Sequence, residues 1–200
     1  MKRLILFLAI TTGMTGGIHA QVQETAGGDC KHLPLTAEIS KMVELDDAQM
    51  EALNYLYIDY AATMNYAIHE LQDRKECAKL VYMAKKKFNT RFMDLLSDNQ
   101  KIEYVRNSSY PEIMEKAEVK VKVLQRTGKY TEQELEQSTS EIFEYLMLEK
   151  IAYICDKYNI ERQKENIAQL KKYEPQSLRT ANALQKAKHQ GITYQNGYKW

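Results

Sequence analysis

An all-α fold of elongated antiparallel helical hairpins, packed as a bundle and ending in a short β-hairpin-like tail, follows from three features of this 200-residue chain. The sequence has only eight Gly and three Pro, too few for a turn-rich β-sandwich. Apolar residues recur at steps of three and four over most of its length, the period of a helix with one buried face. The third feature is a repeated word: LDDAQ at 45–49, LSDNQ at 96–100 and YTEQEL at 130–135 each set a short polar side chain three positions ahead of Gln or Glu. Such a pair forms a capping box, in which the first side chain accepts an orphan backbone N–H and the second reaches back to the cap's own N–H. Asp46 with Gln49, Ser97 with Gln100 and Thr131 with Glu134 are therefore predicted helix starts, and losing such a cap costs about 1 kcal/mol.

The chain opens MKRLILFLAITTGMTGGIHAQ, two basic residues before a short apolar core and a small-residue end. That pattern predicts a secretory signal peptide over 1–20, cut after Ala20, and a mature protein that is periplasmic or secreted. Residues 21–44, beginning QVQETAGGD, read as a flexible segment in which order sets in after Leu33. From Asp46 to about Gln72 there is neither Gly nor Pro, and Leu53, Leu56, Tyr60, Met64, Ile68 and Leu71 mark one helical face. Cys77, Leu80, Val81, Ala84, Phe88, Phe92 and Leu95 mark the next, after a turn near Asp73. Two helices of ~30 to 40 Å fill the 51 residues between the first two boxes, so the second box begins beside the first.

A third helix from Asp98 to about Asn107 is expected to break at NSSYP, with Pro111 in the first turn of a new helix. That new helix runs along Ile113, Met114, Ala117, Val121 and Leu124 to an exit at Gly128. From Thr131 to about Tyr158 the stripe is widest, through Ile142, Phe143, Leu146, Met147, Ile151, Ile154 and Tyr158. A weaker helix reaches Tyr173, Glu174-Pro175 marks a boundary, and a last helix through Leu178, Ala181, Leu184 and Ala187 ends at Gly191. The reading is one helical domain over 45–191, in two halves, 45–107 and 111–191. In the tail, 192–200, Asn196-Gly197 is a hairpin signal.

Without the leader, 26 basic residues face 27 acidic ones, a net charge of −1 that favours no particular partner. Neither nucleic-acid binding nor membrane insertion is indicated. Fourteen Tyr against four Phe suits thin helical layers, in which a ring packs while its hydroxyl meets water. Three cysteines, Cys30, Cys77 and Cys155, allow one disulfide with one thiol left over, and all three pairings stay open. No H-E-x-x-H, G-x-S-x-G, C-x-x-C or phosphate-binding Gly loop occurs, so no enzyme and no cofactor are predicted. His69 and Asp73, read as one helical turn apart, are metal candidates, as are Cys30 and His32. Met42, Met50, Met64, Met83, Met93, Met114 and Met147 are scattered at core-like positions and read as packing.

The two boxes at 45–49 and 96–100, with the ~50-residue hairpin between them, resemble the L-T-x-x-Q motifs of the Spy/CpxP family of periplasmic helical proteins. The match covers about residues 42–107, with Asp46 and Ser97 standing where the motif has Thr. The resemblance implies a non-catalytic, chaperone-like protein of envelope stress that binds unfolded or envelope proteins and forms a homodimer. It also implies a positive client surface dotted with apolar residues, for which Lys85, Lys86, Lys87 and Arg91 beside Phe88 and Phe92 are the candidates. A metal-binding or sensing protein, and a structural accessory subunit with a Tyr-rich interface, are the alternative expectations.

Overall fold

The computed structural model describes residues 34–189, and its first helix, α1 (Pro34–Ser40), buries Thr36 and Ile39, followed by Val43 at 1% exposure. The segment read as flexible up to residue 44 thus belongs to the fold from residue 34 onward. After it come α2 (Asp47–His69), α3 (Arg74–Leu95), α4 (Asp98–Gln125), α5 (Glu132–Cys155), α6 (Ile160–Leu170), a 3-10 turn (Lys171–Tyr173) and α7 (Gln176–His189). Among the described residues there is no strand. The predicted leader, Cys30, His32 and the Asn196-Gly197 hairpin lie outside the described residues. The chain divides into two units between Tyr104 and Val105, close to the predicted boundary of the halves but inside a helix.

In the first unit, α2 and α3 form the expected hairpin, turning through residues 70–73. Asp73 caps α3, its carboxylate accepting the backbone N–H groups of Lys75 at 2.6 Å and Glu76 at 3.2 Å. Alanines at 61, 67 and 84 are buried and let the helix backbones approach, while Leu53 is fully enclosed. Aromatic rings run in file across the interior: Tyr60 on Phe88 at 5.0 Å, Phe88 on Phe92 at 6.3 Å, and Phe92 edge-on to Tyr104 of α4 at 5.0 Å. Each such pair adds ~0.5 to 1.5 kcal/mol beyond the area it buries. Burial pushes the Tyr104 hydroxyl well above its ordinary range.

The two capping boxes close the open end of this hairpin and do so on each other. Asp46 N–H donates to Gln49 Oε1 at 3.2 Å and Gln49 N–H returns to Asp46 Oδ1 at 2.8 Å. Ser97 N–H donates to Gln100 Oε1 at 2.9 Å and Gln100 N–H to Ser97 Oγ at 3.3 Å. The two glutamine amides then pair reciprocally, Gln49 Nε2 to Gln100 Oε1 at 3.0 Å and Gln100 Nε2 to Gln49 Oε1 at 2.9 Å. Each Nε2 has a second acceptor, the carbonyl two residues ahead of the opposite cap: Leu95 at 2.7 Å for Gln49, Glu44 at 2.8 Å for Gln100. Both amides thereby use two donors and two acceptor positions, the full capacity of the group. The repetition at 51 residues is explained by this clasp.

α4 is one continuous helix of 28 residues with Pro111 inside it, which corrects the predicted break at NSSYP. Proline deletes a backbone hydrogen bond and crowds the preceding turn, yet the buried stripe Val105, Ser109, Ile113, Ala117 and Leu124 passes through unbroken. Pro111 itself faces outward. Packing on both sides outweighs the local penalty. In the second unit Gly128, at φ 66°, supplies the expected left-handed exit, and Thr131 with Glu134 forms the third capping box at the start of α5. Ile142, Phe143, Tyr145 and Met147 of α5 are buried. Arg106 reaches Glu144 at 2.6 Å and Lys150 reaches Glu112 at 2.8 Å, tying α4 to α5. α5 ends at Asp156, which is buried and held by Asn166 at 2.7 Å and Arg162 at 3.3 Å.

Candidate functional site

The charge of the first unit is sorted by helix. α2 carries Asp47, Glu51 and Asp59 and no Lys or Arg, whereas α3 carries seven basic residues against Glu76 and Asp94. On α3 the steps Lys75, Lys79, Tyr82, Met83 and Lys86 are separated by three or four residues, or adjacent, and so share one side of the helix. All five are exposed, Tyr82 at 54% and Met83 at 52%. Among the described residues of this unit the ion pairs are Lys41 with Glu38, Lys87 with Asp59 at 2.8 Å, and Lys101 with Asp98. Lys79 and Lys86 belong to none of these. The result is a basic helix face with a polarizable thioether and a phenol ring at its centre.

The predicted client residues divide across this geometry. Lys86, Lys87 and Arg91 are exposed and Lys85 is half-buried, although Lys87 is neutralised by Asp59. Phe88 is half-buried between Tyr60 and Phe92, and Phe92 is buried at 3% exposure. Their rings belong to the hairpin interior, so Phe92 is unavailable to a partner at the surface. The helical spacing that joins Phe88 and Phe92 to Cys77, Val81 and Ala84 already assigns them inward. Tyr82 and Met83, which fall outside that stripe, are the apolar residues that stand among the lysines.

A second exposed apolar row lies on α2, where Tyr55, Ile58, Ala62 and Tyr66 follow one another at steps of three and four. Their exposures, 66% for Tyr55, 46% for Ile58 and 52% for Tyr66, are high for residues of this size.

The metal candidates do not share a helix face. His69 is the last residue of α2, and Asp73 is the cap of α3, with its carboxylate engaged by two backbone N–H groups. Among the described residues no group of three or more His, Cys, Asp or Glu side chains converges to hold a metal ion. Cys77 on α3 and Cys155 at the end of α5 are not disulfide-bonded to each other, which leaves pairings that involve Cys30 outside the described residues. In the second unit, burial raises Glu149 above the usual carboxylate range, while burial and the Glu149 charge push Tyr145 up to about 12. Glu174, near both, is paired with Arg179. These groups hold α5, the 3-10 turn and α7 together. No helix among the described residues is long and apolar enough to cross a membrane.

No family model, curated protein or solved structure matches this chain.

Proposed function

We propose that this is an exported, non-catalytic helical protein that holds unfolded or envelope proteins, chaperone-like and stress-associated in the manner of the Spy/CpxP family its two boxes resemble. The observation that supports the reading best is the outer face of α3, where Lys75, Lys79 and Lys86 surround exposed Tyr82 and Met83. Long-range charge attraction and adaptable apolar contact need no fixed geometry in the partner, which suits a tolerant, cofactor-free binder. The test is light scattering of a chemically unfolded model protein in the presence of an equal amount of the mature chain. Slower aggregation is expected, weakening several-fold as salt screens the lysines and in K79E/K86E or Y82S/M83S variants that keep their helical circular dichroism. No effect at any salt concentration would dismiss the proposal.

The apolar row on α2 favours a second reading, a structural accessory subunit that docks through Tyr55, Ile58 and Tyr66. Y55S/Y66S should then abolish co-purification of a partner while leaving the aggregation assay unchanged.

A further inference from the structure

We infer that the α2–α3 hairpin can open at residues 70–73 and exchange arms with a second copy of this chain, so that the glutamine clasp forms between two molecules. Three observations lead there. The contacts across the hairpin are centred on the bend: Asp59 and Lys87, 28 residues apart, stand 14 positions either side of Asp73. Tyr60 on Phe88 is centred one residue further on, at Arg74. If residues 70–73 join α2 and α3 into one helix, two copies laid antiparallel about Asp73 make the same contacts, now as Asp59 to Lys87 of the second copy. A two-fold pairing of this kind is isologous and closes on itself.

The bend is also written in helix-forming residues. Glu70, Leu71, Gln72 and Asp73 include no Gly or Pro, and Glu70 still has helical angles, φ −104° and ψ −28°. By contrast, the connection from α4 to α5 turns on Gly128 at φ 66°, and that from the 3-10 turn to α7 contains Pro175. Opening the bend forfeits the Asp73 cap and gains helical backbone bonds over four residues, so the local terms at the bend oppose one another, and the packing and clasp lost within one chain are regained between two. Finally, every bond of the clasp runs between segments 44–49 and 95–100. None of these bonds depends on which chain supplies either segment. A short bend free of breakers, closed by a self-complementary lock, is the arrangement in which exchange is cheap.

The Asp59–Lys87 ion pair reports which chain is which. Equal amounts of unlabelled and nitrogen-15-labelled mature protein are unfolded, refolded together at high concentration and separated by size. A carbodiimide then joins the Asp59 carboxyl to the Lys87 amine, and mass spectrometry reads the linked peptides. In the dimer fraction about half of the Asp59–Lys87 links should carry one labelled and one unlabelled peptide, the share that random isologous pairing gives, while the monomer fraction carries none. D73A, which removes the cap of the closed form, should raise the dimer fraction, and L71N/Q72G, which supplies a turn, should lower it. A dimer fraction whose Asp59–Lys87 links include no mixed-isotope pairs, or absence of any dimer after refolding of both wild type and D73A, would overturn the inference. Circular dichroism of each variant shows whether it has folded.

Discussion

Truncating Gln49 to Ala removes four hydrogen bonds at once: those with Asp46 and Leu95 backbone groups and both bonds of the amide pair. At ~0.5 to 1 kcal/mol per net bond in this partly exposed setting, Q49A should cost ~2 to 4 kcal/mol. Q100A should cost a similar amount. Because the two residues share two of their bonds, Q49A/Q100A should fall short of the sum by ~1 to 2 kcal/mol, as read from urea midpoints in a double-mutant cycle. Strict additivity would mean that the amides act as separate caps. At this scale the sequence carried the caps in full, since Asp46, Ser97 and Thr131 each announce a helix start by local chemistry alone. It carried no trace of the cross-pairing, which depends on where residue 100 lands relative to residue 49. Phe88 and Phe92 show the opposite case: their inward assignment was present in the spacing, and the lysines beside them in sequence obscured it.

Pro111 decides a question about an element. Were it in the first turn of a new helix, replacing it with Ala would be neutral or destabilising, because proline is preformed for that position. Inside the continuous α4, P111A restores a backbone bond and should stabilise by ~1 to 2 kcal/mol, the proline penalty less its entropic benefit in the unfolded chain; thermal melting checks it. The contact between α4 and α5 makes a pH prediction. Burial works against the Glu112 charge, but hydrogen bonds from Lys116 and Lys150, with their charges, outweigh it and hold the carboxyl below its ordinary 4.5. Its contribution is therefore complete above that ordinary value and disappears as pH falls through the lower folded one. E112Q should flatten this part of the stability profile in acid urea titrations and leave the rest of the curve in place. Helix positions were legible because each stripe is long and periodic. The continuity of α4 was not, because a local rule about proline is overruled here by burial of Val105, Ser109, Ile113 and Ala117 that only the folded chain reveals.

For the molecule as a whole, near-zero net charge conceals an acidic α2 and a basic α3. Binding to an anionic client should follow the local surplus, so K79E/K86E should weaken retention far more than two equivalent reversals on exposed lysines of the second unit, such as Lys116 and Lys122; parallel aggregation assays check this. The surplus of basic residues on α3 was legible from its run of lysines. Which apolar residues accompany them became clear only when the hairpin interior claimed the phenylalanines and left Tyr82 and Met83 outside. The clasp carries one more consequence. A helical hairpin is usually firmest at its bend and loosest where its two far ends lie side by side. Here the far ends are tied by side-chain amides, and the backbone N–H groups of Asp46 and Ser97, which cap α2 and α4, are among the tied groups. The amide protons of Asp46 and Ser97 should therefore outlast those of residues 71 and 72 in deuterium exchange, a reversal of the ordinary fraying order.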